Sequence, residues 1–363
     1  RLGIYQIIYM DKVPESAAVN ESVKLAKKLT RGLSGFVNAI LRSVIREQDS
    51  IGIEDLAAND IEAISFIYNI PLWLINLWIS EFGRDKTEDL CAWFNEQPKL
   101  TARINTILID IPQCLTMLNE QGWAVTQDSN YEDIIYINSH RGSLEKSEAF
   151  IKGYITFMDK ASMLVARLVN PQPGERILDC CAAPGGKSMY MATLMDNVGS
   201  LMSCDIHEHK IELMNSNADR LGASIVHTKV QDATKLPDSW NSYFDRVLVD
   251  APCSGLGILQ KKLDMRWRKQ ESILRELPPL QLAILERAAM TVKEKGYLIY
   301  STCTLNYKEN EEVVESFLQK HKEFSIIPVA DDFPLKSNSG MITTYPPTDD
   351  MDGFFMVKMQ RIS

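Results

Sequence analysis

Short apolar runs and helical segments alternate regularly from about residue 160 onward. The apolar runs are at 177–179, 199–205, 224–228, 246–250 and 296–301. Nearly continuous apolar strands that are separated by helices are typical of parallel sheets buried on both faces. The alternation therefore predicts an α/β fold of the Rossmann-like type, with helices on both sides of a doubly wound, mostly parallel sheet.

The first hundred residues follow a helical pattern instead. Apolar side chains recur at three- and four-residue steps at Val19, Val23, Ala26 and Leu29, and again at Phe36, Ile40 and Val44. Further short helices are expected over 51–95, with Pro71 at a helix start. From about 100 to 158, strand-like and helical stretches follow each other closely, which indicates a small α+β module.

These changes of pattern predict three domains. Residues 1–67 are expected to form an all-helical domain, and 68–158 a helical linker with the small α+β module. Residues 159–363 are expected to form the Rossmann-like domain. The chain begins with Arg1, inside an apolar segment, and we therefore expect the first domain to be a partial one.

Cysteine usage and hydropathy limit the possible settings of the protein. Seven cysteines without a regular spacing indicate a reducing compartment, and we expect a cytoplasmic protein. No group of Cys and His has the spacing of a zinc site, so no metal is predicted. The longest apolar runs are too short to cross a bilayer, so we expect no membrane partner. We expect a monomer.

The distribution of charge says more about partners than the net charge does. A net charge of −9 taken alone argues against a nucleic-acid partner, but residues 1–46 hold eight basic and three acidic residues. The stretch 261–269 places Trp267 among five basic residues. Because aromatic side chains among cations suit single-stranded nucleic acid, this second cluster is predicted to contact RNA. For the first cluster, RNA contact and solvated helix faces are equally good interpretations.

A candidate cofactor loop, Cys-Ala-Ala-Pro-Gly-Gly-Lys at 181–187, follows the first strand of the predicted sheet. Its glycines allow close backbone approach, and the next helix offers free N–H groups. Its spacing matches neither the ATP phosphate loop nor Gly-x-Gly-x-x-Gly. Asp205 ends the second strand, where it suits a ribose, and Asp232 follows the third, where it suits an adenine amino group. A nucleoside without phosphates fits best, and the predicted cofactor is S-adenosyl-L-methionine.

Two cysteines lie in similar settings at the ends of predicted strands. Cys253 follows Val-Leu-Val-Asp-Ala-Pro, and Cys303 follows Tyr-Leu-Ile-Tyr-Ser-Thr. One methyl acceptor that needs a thiol is carbon-5 of cytosine. This carbon is a poor nucleophile, and a thiolate that adds to carbon-6 of the ring activates it. Two thiols and Asp250 at adjacent strand ends supply candidates for a nucleophile, a base and a group near ring nitrogen 3. The other cysteines are interpreted as buried apolar residues: Cys91, Cys114, Cys180 and Cys204.

The motifs carry a family resemblance. The loop at 181–187, Asp-Ala-Pro-Cys-Ser-Gly at 250–255 and Ser-Thr-Cys-Thr at 301–304 resemble the NOL1/NOP2/Sun family of RNA 5-methylcytosine methyltransferases. Asn-Glu-Glu at 310–312 and Asp-Gly-Phe-Phe at 352–355 match as well, in the order of the family. The helical segment with 19–23 and 35–42 resembles a NusB-like RNA-binding domain, so that the resemblance covers nearly the whole chain.

The resemblance implies a substrate and a set of roles. The expected substrate is a cytosine of 16S ribosomal RNA, with transfer RNA as the alternative, and the module at 101–158 is expected to help grip RNA. Cys303 is implied as the nucleophile, Cys253 as the group that releases the product, and Asp250 as the group that holds the cytosine edge. Lys187 is expected to lower a thiol pKa or to support the same charge. Cofactor contacts are expected from Cys181, Ala182, Ala183, Pro184, Gly185, Gly186, Lys187, Asp205, Asp232 and Asp250.

Two other functions fit parts of the sequence. A methyltransferase for exocyclic amines would carry Asn/Asp-Pro-Pro-Tyr after the fourth strand, where this chain has Asp-Ala-Pro-Cys at 250–253. An RNA-binding assembly factor with an inactive cofactor pocket would have no need for the catalytic set, and Lys187, Asp250 and Cys303 are all present.

Overall fold

The computed structural model describes residues 1–30, 32–47, 60–337 and 339–362. The chain divides into two compact units, Arg1–Asn69 and Ile70–Ser363. The predicted domain limits at 67/68 and 158/159 stay predictions. Part of the predicted helical stretch 51–95 lies outside the described residues.

The first unit is helical. Its helices are α1 (Leu2–Tyr9), α2 (Glu15–Leu29), α3 (Ser34–Glu47) and α4 (Asp60–Tyr68). Helices α1 and α3 pack against α2 around Val19 and Leu41, which are almost fully buried. The two helices predicted from periodicity are present, but Leu29 and Phe36 are exposed by 78% and 63%. The apolar pattern therefore predicts the helices correctly and their buried faces only in part.

The second unit begins with two packed helices and a small antiparallel sheet. The elements are α5 (Leu72–Phe82), α6 (Arg84–Asn95), β1 (Thr101–Ile104), α7 (Ile111–Glu120), β2 (Ala124–Gln127), β3 (Ile134–Ser139), α8 (Glu148–Ile151) and β4 (Ile155–Phe157). Pro71 caps α5, as predicted. The strand order is β2-β3-β1-β4, with antiparallel pairs throughout. The α+β character was predicted, but β4 was missed.

The rest of the second unit forms the large sheet and its helices. The elements are α9 (Lys160–Val169), β5 (Arg176–Asp179), α10 (Gly186–Leu194), β6 (Ser200–Asp205), α11 (Glu208–Leu221), β7 (Val226–Val230), β8 (Phe244–Asp250), α12 (Met265–Arg268), α13 (Ile273–Ala289), β9 (Val292–Thr302), α14 (Glu311–Lys320), β10 (Phe324–Ile326), β11 (Met341–Thr343), α15 (Pro346–Asp349) and β12 (Phe355–Arg361).

In the described residues this sheet has the order β10-β12-β9-β8-β5-β6-β7, with β11 paired to β12. Strands β5 to β9 are parallel, and β10, β11 and β12 add antiparallel pairs at one side. The five predicted strands are all present and are mutually parallel. The predicted Rossmann-like fold class is confirmed.

Alternate side chains of each strand bury on opposite faces of the sheet. Leu248 packs in a core with α9 and α10, whereas Val247 and Val249 pack in a second core with α13 and α14. Both cores exclude water almost completely, which explains the uninterrupted apolar runs of the strands.

Among the described residues, no single helix is long and apolar enough to cross a membrane. The helical segments Ile61–Tyr68 and Leu72–Phe82 reach the necessary length and hydropathy only when they are counted together.

Candidate active site

The ends of β8 and β9 bring the two predicted cysteines into contact. Asp250 is in register with Ser301, and the Ala251 N–H donates to the Ser301 carbonyl at 2.8 Å. The chain then turns after each strand, and the Sγ atoms of Cys253 and Cys303 lie 3.3 Å apart. The backbone N–H of Cys303 also donates to Cys253 Sγ at 3.3 Å. Because parallel strands end at one edge of the sheet, two cysteines fifty residues apart share one site.

Asp250 lies beside this thiol pair and is held by two partners. Lys187 Nζ donates to Asp250 Oδ2 at 2.6 Å, and Ser301 Oγ donates to Oδ1 at 2.8 Å. Burial opposes the charged form of Lys187, but the charge and hydrogen bond of Asp250 outweigh it and raise the pKa of Lys187. The Lys187 ammonium also lies 5.2 Å from the centre of the Phe354 ring. A charged lysine and a carboxylate are therefore fixed together next to the thiols.

The surroundings of the Cys253 thiol favour its protonated form. The hydrogen bond with Cys303 and burial raise the pKa of the Cys253 thiol well above its ordinary value. Cys253 therefore stays protonated at neutral pH, and its S–H can donate toward Cys303 Sγ. A protonated thiol is a poor nucleophile and a hydrogen-bond donor, so the setting of Cys253 suits it to assist its neighbour rather than to attack carbon.

The predicted cofactor loop connects β5 to α10. Gly185 caps α10 with a φ of +100°, which favours glycine, and a Cβ there would lie 3.2 Å from Met214 Cγ. Asp179, the last residue of β5, accepts a hydrogen bond from Ser188 Oγ at 2.7 Å. Burial raises the pKa of Asp179 to about 7, against the opposing effect of the Ser188 bond. The loop is thus anchored from inside the sheet by a side chain that the sequence analysis did not single out.

A cavity of about 530 Å³ opens at this edge of the sheet. It brings together both strand-end cysteines and the three predicted aspartates. Its walls include Cys181, Ala183, Asp205, Asp232, Asp250, Cys253 and Cys303. The predicted cofactor residues Ala182, Pro184, Gly185, Gly186 and Lys187 are not among its lining residues. Side chains that the sequence analysis missed complete it: Ile206, His207, Lys210, Gln231, Thr234, Ile258, Met265, Leu280 and Ile284.

The acidic lining residues also have local structural partners. Asp205 accepts from the His207 N–H at 3.0 Å and lies 3.5 Å from Lys210 Nζ. Asp232 accepts from the N–H and the hydroxyl of Thr234, which lower its pKa. The two aspartates are therefore turn-forming residues that also face the cavity. Carboxylates at two strand ends fit the hydroxyl and amino groups of a nucleoside and oppose a polyphosphate, so S-adenosylmethionine fits this lining.

Four other cysteines are buried, as predicted: Cys91, Cys114, Cys180 and Cys204. Burial raises the pKa of Cys114 to about 11 and that of Cys91 and Cys204 to about 12. Burial also raises the pKa of Cys180 well above its ordinary value. These thiols are packing residues rather than nucleophiles.

The predicted RNA contact of the basic stretch 261–269 stays a prediction, but two of its five cations have partners within the fold. Arg266 is buried, and its guanidinium donates to Asn95 Oδ1 at 2.7 Å and to the Phe94 carbonyl at 2.5 Å. Lys261 pairs with Asp159 and Asp352. Arg266 and Lys261 therefore join this stretch to other segments of the second unit, because their side chains bind carbonyl, amide and carboxylate oxygens of those segments. Trp267 is exposed by 60% and remains available for contact.

A close approach of two loops explains the Asp-Gly-Phe-Phe motif. The Gly257 N–H donates to the Cys303 carbonyl at 3.0 Å, and the Gly353 N–H donates to the Gly257 carbonyl at 2.9 Å. A Cβ on Gly257 would lie 1.8 Å from the Gly353 carbonyl oxygen. The loop after β8, which holds Gly257, lies between the segments of Cys303 and Gly353. It can do so only because glycine has no side chain.

Glu81 of α5 contacts the turn that follows Cys303. Its Oε1 accepts from the Tyr307 N–H at 3.1 Å. Burial raises the pKa of Glu81 from 4.5 to about 7; the Tyr307 bond opposes this, and the charges of Glu311 and Glu309 add to it. Nothing in the sequence patterns indicated this contact, because the partners are far apart in the chain.

The raised pKa of Glu81 predicts a pH-dependent stability. Between about pH 4.5 and 7 the folded state holds a proton on Glu81 that the unfolded state has lost, so stability falls as pH rises through this range. Glu81→Gln keeps an acceptor for Tyr307 and does not titrate. Its thermal unfolding midpoint should therefore rise relative to wild type between pH 5 and pH 8. Exposed Glu312→Gln is the control, and an equal difference at both pH values for Glu81→Gln would contradict this cause.

Acidic strand ends at the carboxyl edge of a Rossmann-like sheet, next to two thiols in contact, are the setting expected of an S-adenosylmethionine-dependent methyltransferase. The model of the 16S rRNA methyltransferase RsmB/F family matches residues 166–360. The NusB family matches residues 1–46, and the RsmF/B-like methyltransferase ferredoxin-like domain matches residues 70–142. The chain belongs to the 16S rRNA methyltransferase RsmB/F family. The predicted RNA methyltransferase class, its S-adenosylmethionine cofactor and the NusB-like start are confirmed.

Relatives of known description agree over nearly the whole chain. The chain is 36% identical to the probable ribosomal RNA small subunit methyltransferase B of Bacillus subtilis, over 99% of this chain and 81% of the relative. It is 38% identical to the protein of the same description from Synechocystis, over 99% and 82%. The crystal structure of PH0851 aligns with a TM-score of 0.86 at 27% identity, over 98% of this chain and 80% of that one. The crystal structure of NSun6 from Pyrococcus horikoshii with SFG aligns with a TM-score of 0.72 at 21% identity. The alignment covers 79% of this chain and 97% of that one and shows a shared fold.

Proposed function

We propose that this methyltransferase modifies carbon-5 of a cytosine in 16S ribosomal RNA through a covalent cysteine–cytosine intermediate. The observation that carries the proposal is the contact of two thiols, 3.3 Å apart, in the cavity that also holds Asp250. Methylation of an exocyclic amine needs no thiol. Methylation of carbon-5 needs one thiol to activate the ring and a further group to restore it.

The chain's own residues can perform the steps around methyl transfer. When bound, S-adenosylmethionine supplies an electrophilic methyl group. Cys303 as thiolate adds to carbon-6 and forms an S–C bond, while Asp250 and its partner Lys187 stabilise the charge that develops around ring nitrogen 3. After methyl transfer, a base removes the proton that carbon-5 still carries. The electrons of that C–H bond re-form the ring double bond, the S–C bond breaks, and Cys303 departs as thiolate. Cys253 assists this release.

The substrate and the setting follow from the same proposal. The family match and the descriptions of the relatives support 16S ribosomal RNA over transfer RNA. The matched segments 1–46, 70–142 and 166–360 support the three-part organisation with limits at 67/68 and 158/159. A flipped or unpaired cytosine would enter the cavity from RNA held by the first two parts. We propose that the enzyme acts as a monomer in the cytoplasm, where this RNA is made.

Bisulfite sequencing of RNA tests the substrate. In cells without the gene, one cytosine of 16S ribosomal RNA should lose its protection against conversion, and a plasmid copy of the gene should restore it. A Cys303→Ala copy is the matched control and should not restore it. Loss of protection in transfer RNA instead would contradict the choice of substrate, and no loss at any cytosine would contradict the chemistry.

A further inference from the structure

A buried glutamate joins the two cysteine-bearing turns. Glu309 ends the 3-10 turn Tyr307–Glu309, which follows Cys303 in the chain, and it is 0% exposed. Its Oε1 accepts from Ser254 Oγ at 2.5 Å and from Asn306 Nδ2 at 2.9 Å. Its Oε2 accepts from the Ser254 N–H at 2.8 Å and from Gln281 Nε2 at 2.9 Å. Each carboxylate oxygen thus has two donors.

These bonds hold the Cys253 turn on both sides of the thiol. Ser254, directly after Cys253, is held twice by the Glu309 carboxylate. Gln281 Nε2 also donates to the carbonyl of Pro252, directly before Cys253, at 3.0 Å. Asn306, on the other turn, follows Cys303 by three residues. A single carboxylate therefore sets the position of one turn against the other.

A second contact runs beside the thiol pair. The hydroxyls of Ser254 and Thr304, each one residue after a cysteine, are hydrogen-bonded at 2.7 Å.

In the described residues no Lys, Arg or His lies within ion-pair distance of Glu309, so N–H and O–H donors alone stabilise its charge. Burying a carboxylate without a cation is costly, and packing alone does not require it. Such a residue is expected where the geometry of a site depends on it.

We propose that Glu309 is a positioning residue that holds the Cys253 thiol against Cys303 for the release step. The inference rests on the proposed function, in which Cys253 assists departure of Cys303 from carbon-6. Attack by Cys303 needs only one thiol, whereas release needs both in contact. Loss of Glu309 should therefore slow release far more than attack.

Glu309→Gln tests the inference, because it replaces one acceptor oxygen by an NH2 group that faces two donors. Adduct formation and decay are followed by rapid quench and denaturing gels with a 16S ribosomal RNA transcript. Decay should slow by about ten-fold or more, with formation and S-adenosylmethionine affinity within about two-fold of wild type. Glu312→Gln, an exposed glutamate on the same segment, should behave as wild type.

A second readout measures thiol proximity without RNA. Diamide takes up two electrons and two protons as two thiols form an S–S bond, and peptide mapping identifies the Cys253–Cys303 product. Its formation should be fast in wild type and about ten-fold slower in Glu309→Gln. Failure of wild type to form it would contradict the thiol contact itself.

The outcomes separate the inference from the proposed function. Wild-type rates of decay and of disulfide formation in folded Glu309→Gln, or equal slowing of adduct formation and decay, would overturn the role of Glu309. If that variant does not fold, Ser254→Ala, which removes only the hydroxyl donor, is judged by the same criteria. If Cys253→Ala accumulates adduct and Glu309→Gln does not, only the inference fails. If Cys253→Ala accumulates none, the proposed release step fails as well.

Discussion

Cys303→Ala should abolish methyl transfer to RNA, with a loss of roughly 10⁴-fold or more in the single-turnover rate. Without the sulfur, carbon-6 has no nucleophile, and carbon-5 is not activated toward the methyl donor. The hydrogen bond with Cys303 that raises the pKa of the Cys253 thiol is lost in this variant, but burial still raises it, so Cys253 is a poor replacement nucleophile. The measurement is transfer of a radiolabelled methyl group to a 16S ribosomal RNA transcript, with denaturing gels to detect a covalent adduct.

The control for Cys303→Ala is Cys204→Ala. Cys204 lies at the end of β6 and is fully buried in a core, so its loss removes packing but no reactive group. We expect the Cys204 variant to keep the adduct and most of the activity. S-adenosylmethionine affinity should be similar in both variants. An adduct in Cys303→Ala, or residual methyl transfer near the wild-type rate, would assign the nucleophile to another group.

The sequence predicted the active edge of the sheet well because parallel strands have a strong signature. Their apolar runs are buried on both faces, so every residue of a run such as Val247 to Val249 is apolar. The residue after such a run must lie at the carboxyl edge of the sheet. For this reason Asp250, Cys253 and Cys303 could be expected in one site before the fold was known.

The side chains that support this edge could not be predicted in the same way. Glu309 is a charged residue beside a helix, and the ordinary expectation for such a residue is solvent exposure. The family motif directed attention to Asn-Glu-Glu at 310–312, whereas the carboxylate that joins the turns comes one residue earlier. Its partners Ser254 and Gln281 are 55 and 28 residues away, and only the folded chain brings them together.

Charge composition was a limited guide to which cations are exposed. The stretch 261–269 has the composition of an RNA-binding surface, but Arg266 binds Phe94 and Asn95 inside the second unit. Composition does not distinguish a cation that faces solvent from one whose partners lie within the fold. The antiparallel strands β4, β10, β11 and β12 were also missed. The first three have only three residues each, and strands of that length carry too little pattern to detect.

Cys253→Ala should have the opposite effect from Cys303→Ala, and should trap the enzyme on its RNA. The variant keeps Cys303, Asp250 and Lys187, so attack and methyl transfer should proceed. It lacks the thiol that lies 3.3 Å from Cys303 Sγ, and release of Cys303 from carbon-6 should then slow by roughly 10²-fold or more. Denaturing gels should show a protein–RNA band that persists after the methyl group has been transferred.

The composition of that trapped species makes the test decisive. If Cys253 acts only after methyl transfer, nuclease digestion and mass spectrometry of the band should find cytosine that already carries the methyl group, bonded to Cys303. The double variant Cys253→Ala with Cys303→Ala should give no band, because the bond itself comes from Cys303. An adduct without the methyl group would place Cys253 before transfer. A bond to RNA that survives in the double variant would remove both thiols from the mechanism, and with them the reason for their contact at the ends of β8 and β9.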